Sequence, residues 1–407
     1  MPKKPKKCKD KGAKEVQESK KKVLPLLATS HAVNHMYQLV TPTIAPLLKQ
    51  DYGNADAGLF VTAFLLSYSL LPAVSGYLTQ RFGRKKLLTI GFAITALCFL
   101  AIGITDNVLA LTLLFFTAGA AGSMYHPSGF PILSEAYPAN RGRALGLHQM
   151  GGAIGSIVGP IATGFMAAGL TWRSTVMIMA IPGLVLSAIL WLSIKTQSTS
   201  NAAVPRGTSV ASLRELIKYS PVILFIIAAL FYALGQRGMD SYGNVYFTDG
   251  RGIELVAASI LFSSLKWAGP FSAPICGKLS DVYGRRKVLL ALVIVESISL
   301  YAITAVPSAL LVIPCIIFGF GAFGLLTVGE ALLADIAPEK QRATIFGLHL
   351  TINFSPYIFL TPILFALPTF YGYNLGFVIL SILMLVSIPL ILKIRNKPTR
   401  ISENEAT

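Results

Sequence analysis

Charge is what this sequence has least of. Asp, Glu, Lys and Arg make up 13% of its 407 residues, about half the share carried by an ordinary soluble domain. With 54% hydrophobic residues and a mean hydropathy of +0.64, too little polar surface is left to keep the chain in water. Cysteine is nearly as scarce. Cys8, Cys98, Cys276 and Cys315 lie far apart, without the spacing of a zinc site or a disulfide framework, so neither a metal nor a disulfide is expected. The short alternating segments of a membrane β-barrel are missing as well.

What is present is a series of long apolar runs. A helix needs about 20 mostly apolar residues to cross the hydrocarbon core. Such runs fall at 24–48, 57–80, 87–105, 108–134, 143–168, 174–194, 220–247, 255–279, 287–306, 308–333, 342–368 and 372–394. The expected fold class is therefore all-α integral membrane, with twelve transmembrane helices.

The net charge of +17 raises the question of nucleic acid, and its placement answers it. Basic residues crowd the tail 1–22, the turns "RFGRKK", "NRGR", "YGRRK" and "EKQR", and the final segment after the last run. An even number of spans puts all of these on one side, and the alternate turns keep little more than Lys49, Arg173 and Arg251. The positive-inside rule then makes both termini cytoplasmic in a cell-membrane protein. No nucleic-acid partner is expected; the basic tail is a topology signal or a contact for anionic membrane lipid. The first apolar run is of full span length and carries polar residues, which fits a retained helix better than a cleaved signal peptide.

The chain also repeats itself. "GYLTQRFGRKKLL" begins at Gly76 and "GKLSDVYGRRKVLL" at Gly277, 201 positions later, so Gly83 and Arg84 match Gly284 and Arg285. "SEAYPANRGRALGLH" from Ser134 is echoed by "ADIAPEKQRATIFGLH" from Ala334, pairing Glu135 with Asp335 and His148 with His349. Two six-helix bundles follow, at 23–194 and 220–394, flanked by the tail 1–22 and a cytoplasmic tail at 395–407. Between them, 195–219 is polar and rich in Ser, Thr and Ala, as a cytoplasmic linker would be.

The duplicated halves and the twice-occurring G-x-L-x-D-x-x-G-R-x-K turn resemble the major facilitator superfamily. "GSIVGP" at Gly155–Pro160 is similar to a pattern of its drug and proton antiporter branch, and "SHAVNHMYQ", "MYHPSG" and "HQMGGAIGSIVGP" to the fosmidomycin resistance group. The chain departs from these patterns at His35, Ser128 and Pro131, and Phe115 stands where the antiporters usually carry an arginine. The resemblance implies a solute carrier with a central cavity lined by spans one, four, seven and ten, opened alternately to each side. It implies no cofactor, and the chain is expected to act as a monomer.

Polar side chains inside apolar runs are costly and face an interior or a wet cavity. His31, Asn34, His35 and Gln38 share one face of the first run at helical spacing. The histidines are candidate solute or proton sites, against the alternative of imidazoles satisfied by neighbouring carbonyls; Asn34 and Gln38 bind, orient or pack. His126, before Pro127 in the fourth run, is a third candidate. In the seventh run Arg237, Asp240 and Asn244 share a face. Arg237 is read as an anion contact with Asp240 as its partner or a proton carrier, or the two as a pair that neutralises itself for insertion. Lys266 stands mid-run where the repeat shift puts Leu65 in the other half, which points to a cavity role. Of the remaining acids, Glu296 reads as structural and Glu330 as a proton-coupling candidate alongside Asp240 and His35. Gly151, Gly152, Gly155, Gly159 and Gly164 form a packing face.

The duplicated turn is expected to latch the cytoplasmic side. Gly76, Gly83, Gly277 and Gly284 allow tight backbone approach. Arg84 and Arg285 belong to the basic cluster, and the resemblance places the motif aspartate against a helix N-terminus of the opposite half. Asp281 supplies it in the second copy; Gln80 replaces it in the first. Glu135 and Asp335 are expected to pair with Arg141, Arg143 or Arg342.

Together these readings favour a proton-coupled exporter of a small, anionic or amphipathic compound, with organic-anion uptake by symport or facilitated diffusion as the second reading. A membrane-embedded sensor or enzyme is the remote third, since no nucleotide loop, metal cluster or nucleophile constellation supports it.

Overall fold

The computed structural model describes residues 23–138, 140–194 and 220–394, plus the helical backbone of 7–22; Lys340 and Ala343 are described as backbone only. The side chains of the basic tail, the 195–219 linker and the 395–407 tail lie outside the described residues. Within them the chain is helical and without strands, as the apolar runs require, because a helix satisfies its own backbone polar groups where water is absent.

Nine helices among the described residues are long and apolar enough to cross a membrane, and Val23–Leu70 with Pro72–Phe82, bent by 54°, passes the same test as a pair. The difference from the twelve expected runs has local causes. The first two runs are joined in the helix Lys7–Leu70, divided only at Gly53, whose φ of 81° and ψ of 176° are not helical. The eighth run is split into Leu255–Ser264 and Gly269–Tyr283, each too short to count alone. Pro270 lacks the N–H that would continue the ladder, and its ring crowds the carbonyl four residues back. Pro127 does the same between Val108–Gly122 and Tyr125–Ala136.

The outward surface is apolar. Leu97, Leu113, Phe165, Ile181, Ile298 and Ile382 are each more than half exposed, an arrangement that is stable against acyl chains and not against water. Inside the first half, the helix Arg141–Gly169 lies close against the first run. A Cβ added at Gly151 or Gly155 would meet the carbonyl oxygens of Ala28 and Ala32, and one at Gly159 would lie 2.9 Å from the Met36 Cα. Glycine every fourth residue thus allows near backbone contact.

The duplicated turn is built the same way twice. Gly83 has φ 93° and Gly284 φ 92°, a region that side-chain-bearing residues rarely enter. The following arginines pair with acids of their own half: Arg84 with Glu135, and Arg285 with Asp335 at 2.8 Å and Asp281 at 2.9 Å. The acids therefore take Arg84 and Arg285 instead of the expected Arg141, Arg143 or Arg342. The helix Arg84–Gly103 begins beside the end of Tyr125–Ala136, so the motif arginine is the nearer base.

The described polar contacts between the halves lie mid-span or towards the face opposite those turns. Lys49 donates to Asp249 at 2.6 Å and to the Tyr373 hydroxyl at 2.8 Å. Asn54 donates to Thr369 at 3.2 Å, and Ser263 to the Ile157 carbonyl at 2.7 Å. At the other face Gln80 and Asp281 are exposed.

Candidate functional site

Helical spacing brings His31 and His35 together in the first run, with ring centroids 4.7 Å apart. The break before Pro127 adds His126, centred 5.2 Å from His31 and 5.6 Å from His35. A fourth imidazole, His148, stacks on His31 at 4.2 Å. Gly152 makes room for this stack, since a Cβ there would lie 2.6 Å from Cε1 of His31.

The hydrogen bonds assign the tautomers. His31 Nδ1 lies 2.9 Å from the His148 carbonyl oxygen, which only accepts, so Nδ1 carries the proton and Nε2 a lone pair. That Nε2 is buried with no protein partner among the described residues. His35 Nδ1 lies 3.0 Å from Gln38 Oε1 and donates to it, which leaves its Nε2 a lone pair too. The Tyr125 hydroxyl gives its proton to the Leu27 carbonyl at 2.6 Å, so His148 Nε2, 2.8 Å away, donates to the hydroxyl. Three of the four rings are thus oriented, His31 by a backbone carbonyl, His35 by Gln38 and His148 by Tyr125. Asn34 does not join the cluster: buried, it donates to the Tyr68 hydroxyl at 2.7 Å.

The second half presents charge. Asp240 accepts from Arg237 Nη1 at 3.0 Å and from Lys266 Nζ at 2.6 Å. Arg237 also donates to the Tyr357 hydroxyl at 3.3 Å and to Asn353 Oδ1 at 3.2 Å, and its guanidinium lies 4.4 Å over the Phe354 ring. Two cations around one acid leave a net charge of +1. These three side chains keep 13–18% of their surface accessible, so they are neither sealed in nor lipid-facing. Lys266 stands in the turn that splits its span; its N–H still reaches the Ser263 carbonyl at 2.9 Å. Lys266 lies in the neighbourhood of His35, which brings the two clusters into one region.

The other expected site residues lie apart. Asn244, fully buried, donates across the halves to the Thr43 carbonyl at 2.6 Å. Glu296 is buried and accepts from Gln236 at 3.2 Å, with Gly321 giving it space. Glu330 is half-buried and forms no ion pair among the described residues. Four residues here were not read as site residues from sequence: His148, Tyr125, Asn353 and Tyr357. His148 was visible only as the repeat partner of His349. Asn353 and Tyr357, four apart in an apolar run, carried the signal of a shared helical face.

Comparison with known proteins accords with this architecture. The profile of the Major Facilitator Superfamily matches residues 27–279 and, again, 258–407. The fosmidomycin resistance protein of Escherichia coli K12 is 24% identical over 366 residues, covering 80% of this chain and 88% of that protein. The multi-drug resistance efflux pump PmrA of Streptococcus pneumoniae is 25% identical over 309 residues, 72% of this chain and 74% of the pump. Among solved structures, a bacterial homologue of the human lysosomal transporter Spinster, inward-facing and unoccupied, shares the fold. Its TM-score is 0.75 at 17% identity, over 93% of this chain and 99% of that one.

Proposed function

This chain belongs to the Major Facilitator Superfamily, and from that premise we propose that it exports a small anionic or amphipathic solute across the cytoplasmic membrane by proton-coupled alternating access. Membrane transport, as opposed to catalysis, is what the family membership carries. The anionic preference rests on one observation: Asp240 is outnumbered by Arg237 and Lys266 in a partly desolvated site. A surplus cation in low dielectric attracts an anion strongly. Arg237, backed by Asn353, Tyr357 and Phe354, offers a fixed planar donor, while Lys266 offers a movable point charge. The imidazoles of His35 and His126 complete the wall from the other half. Export of an anion is aided by an inside-negative potential, at about 2.3 kcal/mol per charge per 100 mV, and relatives named for resistance and efflux support that direction.

The second reading, proton and anion moving together, is favoured by the same triad. An anion that takes over Arg237 and Lys266 leaves Asp240 without a partner, and an unpaired carboxylate out of water takes up a proton. Anion and proton then load together. A solute with a cationic group would instead compete with the proton for Asp240, which gives exchange.

Purified full-length chain is screened for stabilisation by anionic metabolites and antibiotics, and the best ligand is then followed in proteoliposomes with an imposed pH gradient. Accumulation in vesicles with an acidic lumen supports export by exchange; accumulation in an alkaline lumen supports co-transport instead. If no anion stabilises the chain, or if Lys266→Ala binds as well as the parent, the anionic reading fails.

A further inference from the structure

The imidazole cluster is arranged for more than packing. One nitrogen from each of His31, His35 and His126 lies within 4.8 Å of the other two. From this convergence and the tautomers around it, we propose that His31, His35 and His126 bind one divalent transition-metal ion of the zinc, cobalt or nickel class, with a further coordination position open to the transported solute.

Three features support a ligand set over a packing contact. First, His31 and His35 each donate through Nδ1, to the His148 carbonyl and to Gln38, which orients a lone pair on each Nε2. A second hydrogen bond that fixes the tautomer of a ligating histidine is the usual support of a metal site. Second, Nε2 of His31 and Nδ1 of His126 are buried without a protein partner among the described residues, a cost that coordination would remove. Third, His31 stacks on both His148 and Tyr125, at ring distances of 4.2 and 5.3 Å, which fixes its place, whereas His35 and His126 are each partly accessible.

Nitrogens bound to one tetrahedral zinc-like ion at about 2.0–2.1 Å stand about 3.3 Å apart. The widest separation here must therefore shrink by about 1.5 Å, within reach of rotation in His35 and His126. Three neutral imidazoles and a divalent ion carry +2, and the Arg237–Asp240–Lys266 triad adds +1 nearby. Such an accumulation of positive charge calls for an anion in the open position. The solute class this favours is an anionic chelator carried together with its metal. That last step rests on the anionic-solute reading above; metal binding by the three histidines does not.

The test uses tag-free full-length protein with Cys8→Ser, titrated with Co2+ alone and followed by visible absorption. One equivalent is expected to give the intense bands of a four-coordinate site, and azide, a small anion, is expected to shift them. His35→Ala and His126→Ala are each expected to weaken Co2+ binding at least tenfold, while His349→Ala, in the other half, leaves it unchanged. Thermal unfolding without metal verifies that the variants are folded, and the parent spectrum decides the matter should any of them not be. Absence of the bands in the parent, or their survival in the His35→Ala/His126→Ala double variant, overturns the proposal. Because the readout needs no transport, its failure and that of the anion-export reading are told apart. Bands that appear but ignore azide would overturn the open position.

Discussion

The two halves of the molecule solve the problem of polar groups in a bilayer in opposite ways. The first half gathers four imidazoles and ties three of them, His31, His35 and His148, to a backbone carbonyl, Gln38 and the Tyr125 hydroxyl. The second half gathers full charges and lets them neutralise one another around Asp240. Yet the halves are copies. The 201-residue shift that superposes Gly83 and Arg84 on Gly284 and Arg285 superposes Leu65 on Lys266 and Met36 on Arg237. What the duplication has kept is scaffold: left-handed glycines and the arginine that reaches an acid at a neighbouring helix end. What it has not kept is the set of polar side chains within the spans, so the candidate site is assembled from two kinds of chemistry that neither copy holds alone.

The sharpest way to break this contrast is to remove the one acid. Asp240→Asn leaves Arg237 and Lys266 facing each other unpaired. Breaking a buried ion pair from one side costs about 3–5 kcal/mol, so a fall in detergent melting temperature of that scale is expected, together with loss of transport. Adding Lys266→Met to Asp240→Asn returns the net charge to +1 and is expected to restore most of the stability. In the imidazole cluster, His35→Ala removes one hydrogen bond to Gln38 and is expected to cost only about 1 kcal/mol. Equal losses for Asp240→Asn and His35→Ala would show that the halves do not differ in this respect.

A smaller effect sharpens the same contrast from the first half. Gly152→Ala places a methyl group against the His31 ring, which must shift from its stack on His148 to admit it. Overpacking of this kind costs about 1–3 kcal/mol. Gly146→Ala, in the same helix but with nothing within 4 Å of the added carbon, is expected to be neutral or slightly stabilising by helix propensity. Thermal unfolding of the pair measures the difference directly, and equal melting points would remove the close approach as a determinant of the cluster.

Much of this was legible in the sequence, for reasons of length and period. Apolar runs of span length specify helices whatever their neighbours, and the doubled glycine–arginine turn marked the repeat; that Gly83 and Gly284 carry the positive φ while Gly76 and Gly277 lie within helices is seen only in the structure. Helical spacing put His31 beside His35 and Arg237 beside Asp240. Contacts between distant segments were less accessible. Nothing local to Lys266 says that its ammonium reaches Asp240, 26 residues earlier, although each was read as a buried charge. Asn244 shares the face of Arg237 by period, but its amide is taken by the Thr43 carbonyl, a contact that depends on how the halves close. The cysteines carry no metal-like spacing, and the three converging imidazoles come from two helices some 95 residues apart (31 to 126), a distance no local pattern spans.

The smallest expected effect concerns the turn itself, where the copies differ by one side chain. Asp281 stands in the second turn and Gln80 in the first. In this structure neither crosses to the other half: Asp281 is 64% exposed and bound to Arg285, while Lys49, Asn54 and Asn244 tie the halves at the opposite face. A latch formed by an aspartate against a helix N-terminus is worth about 0.3–1 kcal/mol. Were the motif aspartate to latch the state closed on the side of the basic turns, this chain would hold that state with one latch instead of two. Gln80→Asp should therefore raise the population of that state by about two- to fivefold, read as reduced labelling of a cysteine placed near the turn and increased labelling of one placed near Lys49. Because the turn lies far from Asp240, the affinity of each conformation for the solute should stay as it was. A change in labelling at neither position would mean that the aspartate of the repeat acts only within its own half, as Asp281 does through Arg285.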